Sequence, residues 1–217
     1  FIFISSFIFV LILINLNKDE LEKNIYKKIQ TFSENFDYQL KETEVIGIKN
    51  IKIKDIENIV RKYYDKSIFL LPLKNISITL RDINWIKKVK LKTDFKNTLI
   101  IEIQEYIPLG IYSFNNKMFY FEKSGKIIDI VHQSNLVKNN LLIFSGKSSN
   151  LYAIDIIYEI DKFENEFKSK IIKFDLIKNR RWNIIIENNI KLMLSEKFVT
   201  KSLENFFKLI KNLDDNE

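Results

Sequence analysis

The chain of 217 residues carries 35 Lys+Arg against 28 Asp+Glu, a formal net charge of +7, with one His, no Cys and four Gly. This length suffices for one medium domain or two small ones with a buried core. The absence of Cys excludes a disulfide framework and every metal site that needs a thiolate. The single histidine, His132, argues against a Ser-His-Asp apparatus, and four glycines leave no room for a glycine-rich phosphate loop.

The positive charge does not indicate a nucleic-acid partner. The chain holds 39 Ile, 31 Lys and 23 Asn, three residue types whose codons are rich in A and T, so nucleotide bias accounts for the excess of lysine. Lys outnumbers Arg 31 to 4, whereas direct readout of DNA bases relies on Arg. We expect no nucleic acid, no small-molecule substrate and no cofactor.

The first sixteen residues are predominantly apolar. Residues 1–16 contain no charge, Gly or Pro, and as a helix they reach about 24 Å, somewhat short of the ~30 Å hydrocarbon core. The chain begins with Phe, so we expect 1–16 to be a truncated transmembrane anchor. The alternatives are a signal peptide, for which a small-x-small cleavage site is lacking, and a buried core element. The mixed charges that follow favour an extracytoplasmic remainder.

A helical stalk follows at residues 17–37. Apolar residues recur at helical spacing at Leu21, Ile25, Phe32 and Phe36. We predict a helix over 18–36 that continues the anchor or forms a short juxtamembrane stalk.

A first compact domain is predicted over residues 38–107. Its pattern gives a strand at 38–46, a helix around 53–60, a helix at 75–83, and strands at 87–92 and 98–105. Residues 93–97 would join the last two strands as a hairpin. The predicted order is β-α-α-β-β, a three-stranded sheet with two helices on one face.

A second domain is predicted over residues 108–217. Strands are expected at 109–114, 118–121, 126–130, 141–144, 171–177, 182–187 and 190–194, with helices at 151–167 and 199–213. The fold class is therefore α+β, with an N-terminal transmembrane helix, a β-α-α-β-β domain and a mixed β-rich domain with flanking helices.

The residues that could take part in catalysis or bind a metal do not form a recognisable site in the sequence. The acidic residues from Asp155 to Glu166 spread around one helix and alternate with lysines, which is typical of a solvated face. The lysines from Lys87 to Lys92 read as the outer face of a strand that discourages aggregation. Trp85 and Trp182 each lie at the start of a strand and read as core residues. A scaffold or partner-binding protein, and no enzyme, follows from this pattern.

At several segments the sequence resembles a known family. Residues 45–108 resemble a POTRA domain, and the whole chain is similar to the FtsQ/DivIB family of bacterial cell-division proteins. The matching segments are Val45–Gly47, Ile51–Ile56, Ser67–Leu71, Ile83–Val89, Phe95–Leu99 and Glu105–Leu109, then Phe119–Gly125 and Trp182–Leu192.

The family pattern is not complete. It usually has Gly or Pro where this chain has Lys66, Asn84 and Lys96, and often Gly at Ser195. The family also continues with further strands after the last amphipathic helix, and the last of them pairs with the partner. The resemblance therefore implies a chain that is truncated at both ends and lacks that surface.

The resemblance implies a non-enzymatic, single-pass inner-membrane (type II) scaffold at the division septum. It would link early divisome proteins, bound through the POTRA domain, to FtsB and FtsL at the edge of the β domain, and so to septal peptidoglycan synthesis. It points to Arg180 and Arg181 as partner-binding residues, because a basic residue in that stretch contacts an acidic partner residue in the family. It gives Gly47, Trp85, Leu99, Glu105 and Pro108 structural roles in the POTRA domain. The alternatives are another POTRA-containing envelope protein, acting in outer-membrane assembly or secretion, and a membrane-tethered enzyme.

Overall fold

The computed structural model describes residues 18–131, 141–163 and 165–214. It divides the chain into two compact units, residues 1–105 and 106–217. Across the described residues no helix is both long enough and apolar enough to cross a membrane. The predicted anchor at 1–16 and the lone His132 lie outside them.

The first unit has three strands and three α-helices in the described residues. They are α1 (Lys18–Asn35), β1 (Glu42–Ile46), α2 (Ile53–Val60), α3 (Leu73–Arg81), β2 (Ile86–Thr93) and β3 (Thr98–Glu105). The sheet order is β1-β3-β2, with β1 parallel and β2 antiparallel to the central β3. This is the predicted β-α-α-β-β arrangement, preceded by a further helix.

Strict alternation along β3 produces the core of this unit. Leu99, Ile101 and Ile103 are buried, while the residues between them lie on the more open face of the sheet. Burying one such side chain contributes about 1.5–3 kcal/mol. The helices supply the opposite side of the core through residues at helical spacing, namely Ile56, Val60, Ile76 and Leu80.

The turn between β2 and β3 is closed by one carboxylate. Asp94 Oδ1 accepts hydrogen bonds from the backbone N–H groups of Lys96, Asn97 and Thr98 at 2.8–3.0 Å. Burial acts to raise the pKa of Asp94, but these bonds outweigh it and lower the pKa below its ordinary value. On the outer sheet face Glu102 is paired with Lys92 and lies 3.8 Å from the Lys90 ammonium.

Helix α1 is fastened to the first unit at its C-terminal end. Ser33 Oγ donates to the carbonyl of Ile29 at 2.9 Å, so Ser67 must donate to Ser33 across their 2.7 Å contact. Both serines are fully buried. Gln30 Oε1 also accepts from the backbone N–H of Ser67 at 2.9 Å. The last turns of α1 are thus part of the domain surface.

The second unit contains one mixed sheet. Its described strands are β4 (Gly110–Phe114), β5 (Lys117–Phe121), β6 (Ile127–Ile130), β7 (Ile143–Ser145), β8 (Ile171–Ile177), β9 (Arg181–Ile186) and β10 (Lys191–Met193). The order is β10-β9-β8-β7-β4-β5-β6, with parallel pairing at β8-β7-β4 and antiparallel pairing elsewhere. Its helices are α4 (Ser149–Ile160), α5 (Asn165–Lys170) and α6 (Val199–Asp214).

Aromatic packing dominates the core of the second unit. Phe144 stacks on Phe174 with ring centroids 4.9 Å apart, and Trp182 meets both rings edge-on at 6.1 Å. Around the helices, Phe163 stacks on Phe207 at 4.9 Å, which places α6 against the end of α4. Trp182 is therefore a core residue.

The α+β class predicted from the sequence is confirmed, but one helix differs. The sequence predicted a single helix over 151–167, whereas the structure has α4 and α5 as separate helices, with a turn at residues 161–163 after α4. In that turn Phe163 N–H donates to the carbonyl of Ile160, a tight bond that ends α4. Helix α4 also begins two residues earlier than predicted, because Ser149 and Asn150 are buried and bonded to the carbonyls of Phe144 and Gly125.

Candidate partner-binding surface

The two arginines chosen from the sequence lie at the turn between β8 and β9. Lys178 and Asn179 take left-handed conformations with φ of 51° and 55°, and Arg180 N–H donates to the carbonyl of Ile177. Arg181 then opens β9 opposite Ile177. Both arginines are exposed. The turn therefore presents two adjacent guanidinium groups to solvent.

Two neighbouring concavities of about 260 and 420 Å³ are lined by both arginines together with Ser195 and Glu196. The larger hollow adds Lys178, and the smaller one extends over α4 to Tyr152 and Asp155. A guanidinium nitrogen of Arg180 lies 3.9 Å from the Glu196 carboxylate, with both side chains at least half exposed. This is a loose surface pair worth at most about 1 kcal/mol. Arg180 can therefore exchange Glu196 for an incoming carboxylate at little cost.

Glu159 forms the acidic side of the smaller hollow. Hydrogen bonds from Lys162 and then Thr200 lower the pKa of Glu159 below its ordinary value, and burial opposes them weakly. The Thr200 bond ties α4 to the first turn of α6. Sequence reasoning treated Glu159 as part of a solvated face, and its link to α6 spans 41 residues, so no local pattern could reveal it.

Strand β10 forms one edge of the sheet as far as the structure describes it. Leu192 pairs with Ile184 on β9, and Leu194 N–H donates to the carbonyl of Trp182. Because bonding alternates along an antiparallel pair, the backbone N–H and C=O groups of Lys191 and Met193 point away from β9. The Met193 side chain is 67% exposed. This edge offers main-chain hydrogen bonds to another strand.

Two of the five residues assigned structural roles clamp the loop between β1 and α2. Gly47 has φ +90°, and a Cβ atom there would lie 2.1 Å from the carbonyl oxygen of Ile103. The Glu105 carboxylate accepts backbone hydrogen bonds from Lys49, Asn50 and Ile51 at 2.7–3.1 Å. Partial burial acts to raise the pKa of Glu105, but these bonds outweigh it and lower the pKa. The end of β3 thus holds this loop in place.

The other three structural residues lie at different points of the first unit and the junction. Leu99 is fully buried on β3. Trp85 precedes β2 by one residue and is partly buried against the first core. Pro108 lies in the segment between β3 and β4, which has no regular structure. Leu99 and Trp85 belong to the same core.

No metal centre is found in the described part of the chain, where no three His, Cys, Asp or Glu residues are grouped to hold an ion. The structure brings together Arg180, Arg181 and Glu196, and it places β10 beside them. Sequence reasoning found the arginines through the family resemblance. It missed Glu196, because an exposed Glu in a loop gives no signal of its partner.

Sequence comparisons agree with this two-unit organisation. A model of the POTRA domain, FtsQ-type, matches residues 39–106, and a model of the cell division protein FtsQ/DivIB, C-terminal, matches residues 112–217. The cell division protein FtsQ of Rickettsia typhi is 27% identical over 81% of this chain and 64% of its own length. That of Rickettsia felis is 26% identical over 94% of this chain and 73% of its own length.

The chain spans 58–73% of the length of the Rickettsia relatives it matches. Among solved structures, it is similar to the major extracytoplasmic domain of the cell division protein DivIB from Geobacillus stearothermophilus. That match covers 52% of this chain and 98% of the DivIB chain, with 8% identity and a TM-score of 0.33. The two sequence models together leave only the N-terminal region and a short junction unmatched, and the chain belongs to the FtsQ/DivIB family of cell-division proteins.

Proposed function

We propose that this chain is a non-enzymatic divisome scaffold. Residues 1–16 anchor it in the inner membrane, and the remainder lies outside the cytoplasm at the division septum. The POTRA unit binds upstream division proteins, and the β domain binds FtsB and, with it, FtsL. The single observation that supports this most directly is the β10 edge with Arg180 and Arg181 beside it.

The proposed mode of binding is strand addition. Backbone pairing would extend the sheet outward from the N–H and C=O groups of Lys191 and Met193, through the further strands that the family carries, to a strand of FtsB whose side chains supply specificity. An acidic residue of FtsB would replace Glu196 as the partner of Arg180 or Arg181. Arg suits this role because its planar fork can bind a carboxylate through two hydrogen bonds.

The backbone part of this proposal is tested by Met193→Pro, which removes the outward N–H group without removing a bond to β9. Met193→Ala is the matched control, because it removes the side chain and keeps the N–H. In a protein that carries those further strands, we expect Met193→Pro to weaken FtsB binding by about tenfold, equal to about 1.4 kcal/mol, and Met193→Ala to weaken it less. Equal effects of the two variants would exclude pairing at this edge.

The arginines are tested in the same titration of FtsB. Arg180→Ala or Arg181→Ala should weaken binding by roughly 1–3 kcal/mol, the range for a charged hydrogen bond. Lys178→Ala, which removes an exposed charge from the same turn, is the control and should change binding little. If both arginine variants bind as well as the native chain, the arginines are ordinary turn residues.

The topology has a separate test. A reporter fused after Leu213 should be active only if it requires export. Activity of a cytoplasm-specific reporter at that position would contradict the proposed orientation.

A further inference from the structure

Helix α1 carries an exposed apolar stripe. Leu21, Ile25 and Phe32 are 46–56% exposed and fall within about 40° of one another around the helix axis. Phe36, one residue past the helix, is 62% exposed and continues the line. An exposed stripe of this kind is typical of a helix face that contacts another protein or a membrane.

The stripe is extended by aromatic rings from the domain itself. Phe32 and Phe36 have ring centroids 4.8 Å apart, and Phe32 stacks on Tyr38 at 6.0 Å. Tyr38 in turn contacts Phe69 at 5.5 Å, and Phe69 is 47% exposed. The apolar surface therefore continues from helix α1 onto the rest of the first unit.

The domain cannot cover this stripe by rotating the helix. The buried bond between Ser33 and Ser67, and that from Ser67 N–H to Gln30, fix the roll of α1 against the domain. Ser33 lies about 90° around the axis from the centre of the stripe. The attached side and the apolar side are therefore different faces of one fixed helix.

The sequence next to α1 indicates what covers the apolar stripe. Residues 1–16 are uncharged and predominantly apolar and end one residue before α1. Asn17, Asp19 and Glu20 are residue types that favour the first turn of a helix, so the sequence permits a change of direction before α1. A bend at this point would lay α1 along the bilayer in which 1–16 are anchored.

The distribution of charged residues around α1 also favours contact of the stripe with a lipid surface. Lys28 borders the stripe within about 20° of Leu21, whereas Glu20 and Glu34 lie on the opposite side of the helix. Glu22 lies about 60° beyond Ile25 and would remain at the rim. A lysine beside an apolar stripe is suited to anionic headgroups.

We propose that the apolar stripe of α1, together with Tyr38 and Phe69, lies on the lipid surface and holds the POTRA unit against the membrane. The aromatic rings would occupy the headgroup level, where amphipathic rings are stable. This inference rests on the proposed membrane anchor but goes beyond it, because an anchor alone leaves the domain free to stand away from the bilayer.

The test uses the full chain in vesicles of phosphatidylcholine and phosphatidylglycerol. Because the sequence has no Cys, Leu21→Cys, Ile25→Cys and Phe36→Cys each create a unique site for a nitroxide label. Lys27→Cys, about 150° from the centre of the stripe, is the matched control. Electron paramagnetic resonance then compares collisions with oxygen, which concentrates in lipid, and with a water-soluble nickel chelate.

We expect the ratio of oxygen to nickel collisions to be severalfold higher at the three stripe positions than at Lys27→Cys. High nickel access at all four positions would show that the stripe is in water and would overturn the proposal. Exclusion of both reagents from the stripe would assign it to a protein contact, which also overturns it. Flotation of the chain with the vesicles is measured separately. Failure to float refutes the anchor itself, whereas flotation with water-exposed labels refutes only the lipid contact of α1.

Discussion

Replacing Gly47 by Ala should destabilise the POTRA unit severely. The left-handed φ of +90° penalises any L side chain by about 1–2 kcal/mol. In addition, the new Cβ would lie 2.1 Å from the carbonyl oxygen of Ile103, whereas Cβ atoms in proteins essentially never come closer than 3.0 Å to such an atom. That carbonyl belongs to the central strand β3, so moving it by about 1 Å weakens the strand ladder by a further 1–2 kcal/mol. The expected total is about 3 kcal/mol.

This loss corresponds to a melting temperature lower by about 10–20 °C for a unit of this size. Hydrogen exchange followed by mass spectrometry is the appropriate assay, because it reports each unit separately. The β3 amides should lose protection, while those of β8 in the second unit should keep it.

Gly125→Ala is the matched control for the backbone conformation. Gly125 has φ +84°, but its nearest atoms would be the Leu151 methyl at 2.8 Å and the Asn150 carbonyl oxygen at 2.9 Å. It should destabilise the second unit by about 1–2 kcal/mol for the conformation, with a smaller steric cost than at Gly47 because the Asn150 carbonyl oxygen at 2.9 Å has much less far to move. If Gly47→Ala cost no more in its own unit than Gly125→Ala costs in the other, the steric argument would be refuted.

Three further changes test the first unit. Glu105→Gln should destabilise it by about 1–2 kcal/mol at neutral pH, because the loop N–H groups lose a charged acceptor. In the folded state the pKa of Glu105 is lowered from 4.5. The stabilisation that the carboxylate gives relative to Gln is therefore present above pH 4.5 and is lost as the pH falls through the folded-state pKa. Denaturation at several pH values would show a difference in the free energy of unfolding between the native chain and Glu105→Gln that shrinks in acid. Ser33→Ala should cost about 1–3 kcal/mol by stranding the buried hydroxyl of Ser67, and the double change to Ala should cost less than the sum of the two single changes. Trp85→Ala should cost about 2 kcal/mol in urea denaturation, and a loss below about 1 kcal/mol would show that the ring is not part of the core.

Elements with a strong local pattern were predicted well from the sequence. Strand β3 was predicted with its observed bounds, because apolar residues recur at every second position from Leu99 to Ile103 and Glu102 and Gln104 lie on the other face. Strand β8 was equally clear. Helix α4 was not, since its first turn buries Ser149 and Asn150, and polar residues at a helix start carry no apolar periodicity. Their burial depends on the carbonyls of Phe144 and Gly125, which only the tertiary fold brings near.

The candidate site shows the same limit. The resemblance singled out Arg180 and Arg181, but their companion Glu196 follows β10, which must first pair with β9. The carboxylate of Glu105 closes a loop more than fifty residues earlier in the chain. Long-range hydrogen bonds of this kind leave no mark on the spacing of residues, so periodicity cannot reveal them.

The strand order of the second unit has a consequence for the sequence of events in folding. Strands β4, β5 and β6 are joined by short turns and can form a meander as soon as they are synthesised. Strand β4 must then wait for β7, about thirty residues later, and β7 must wait for β8 beyond two helices. The parallel centre of the sheet is therefore the late step, because it closes the longest loops. Until it forms, the inner edge of β4 stays open to incorrect pairing. The three described strands of the first unit's sheet all end by Glu105, so that sheet can be complete before that interval begins.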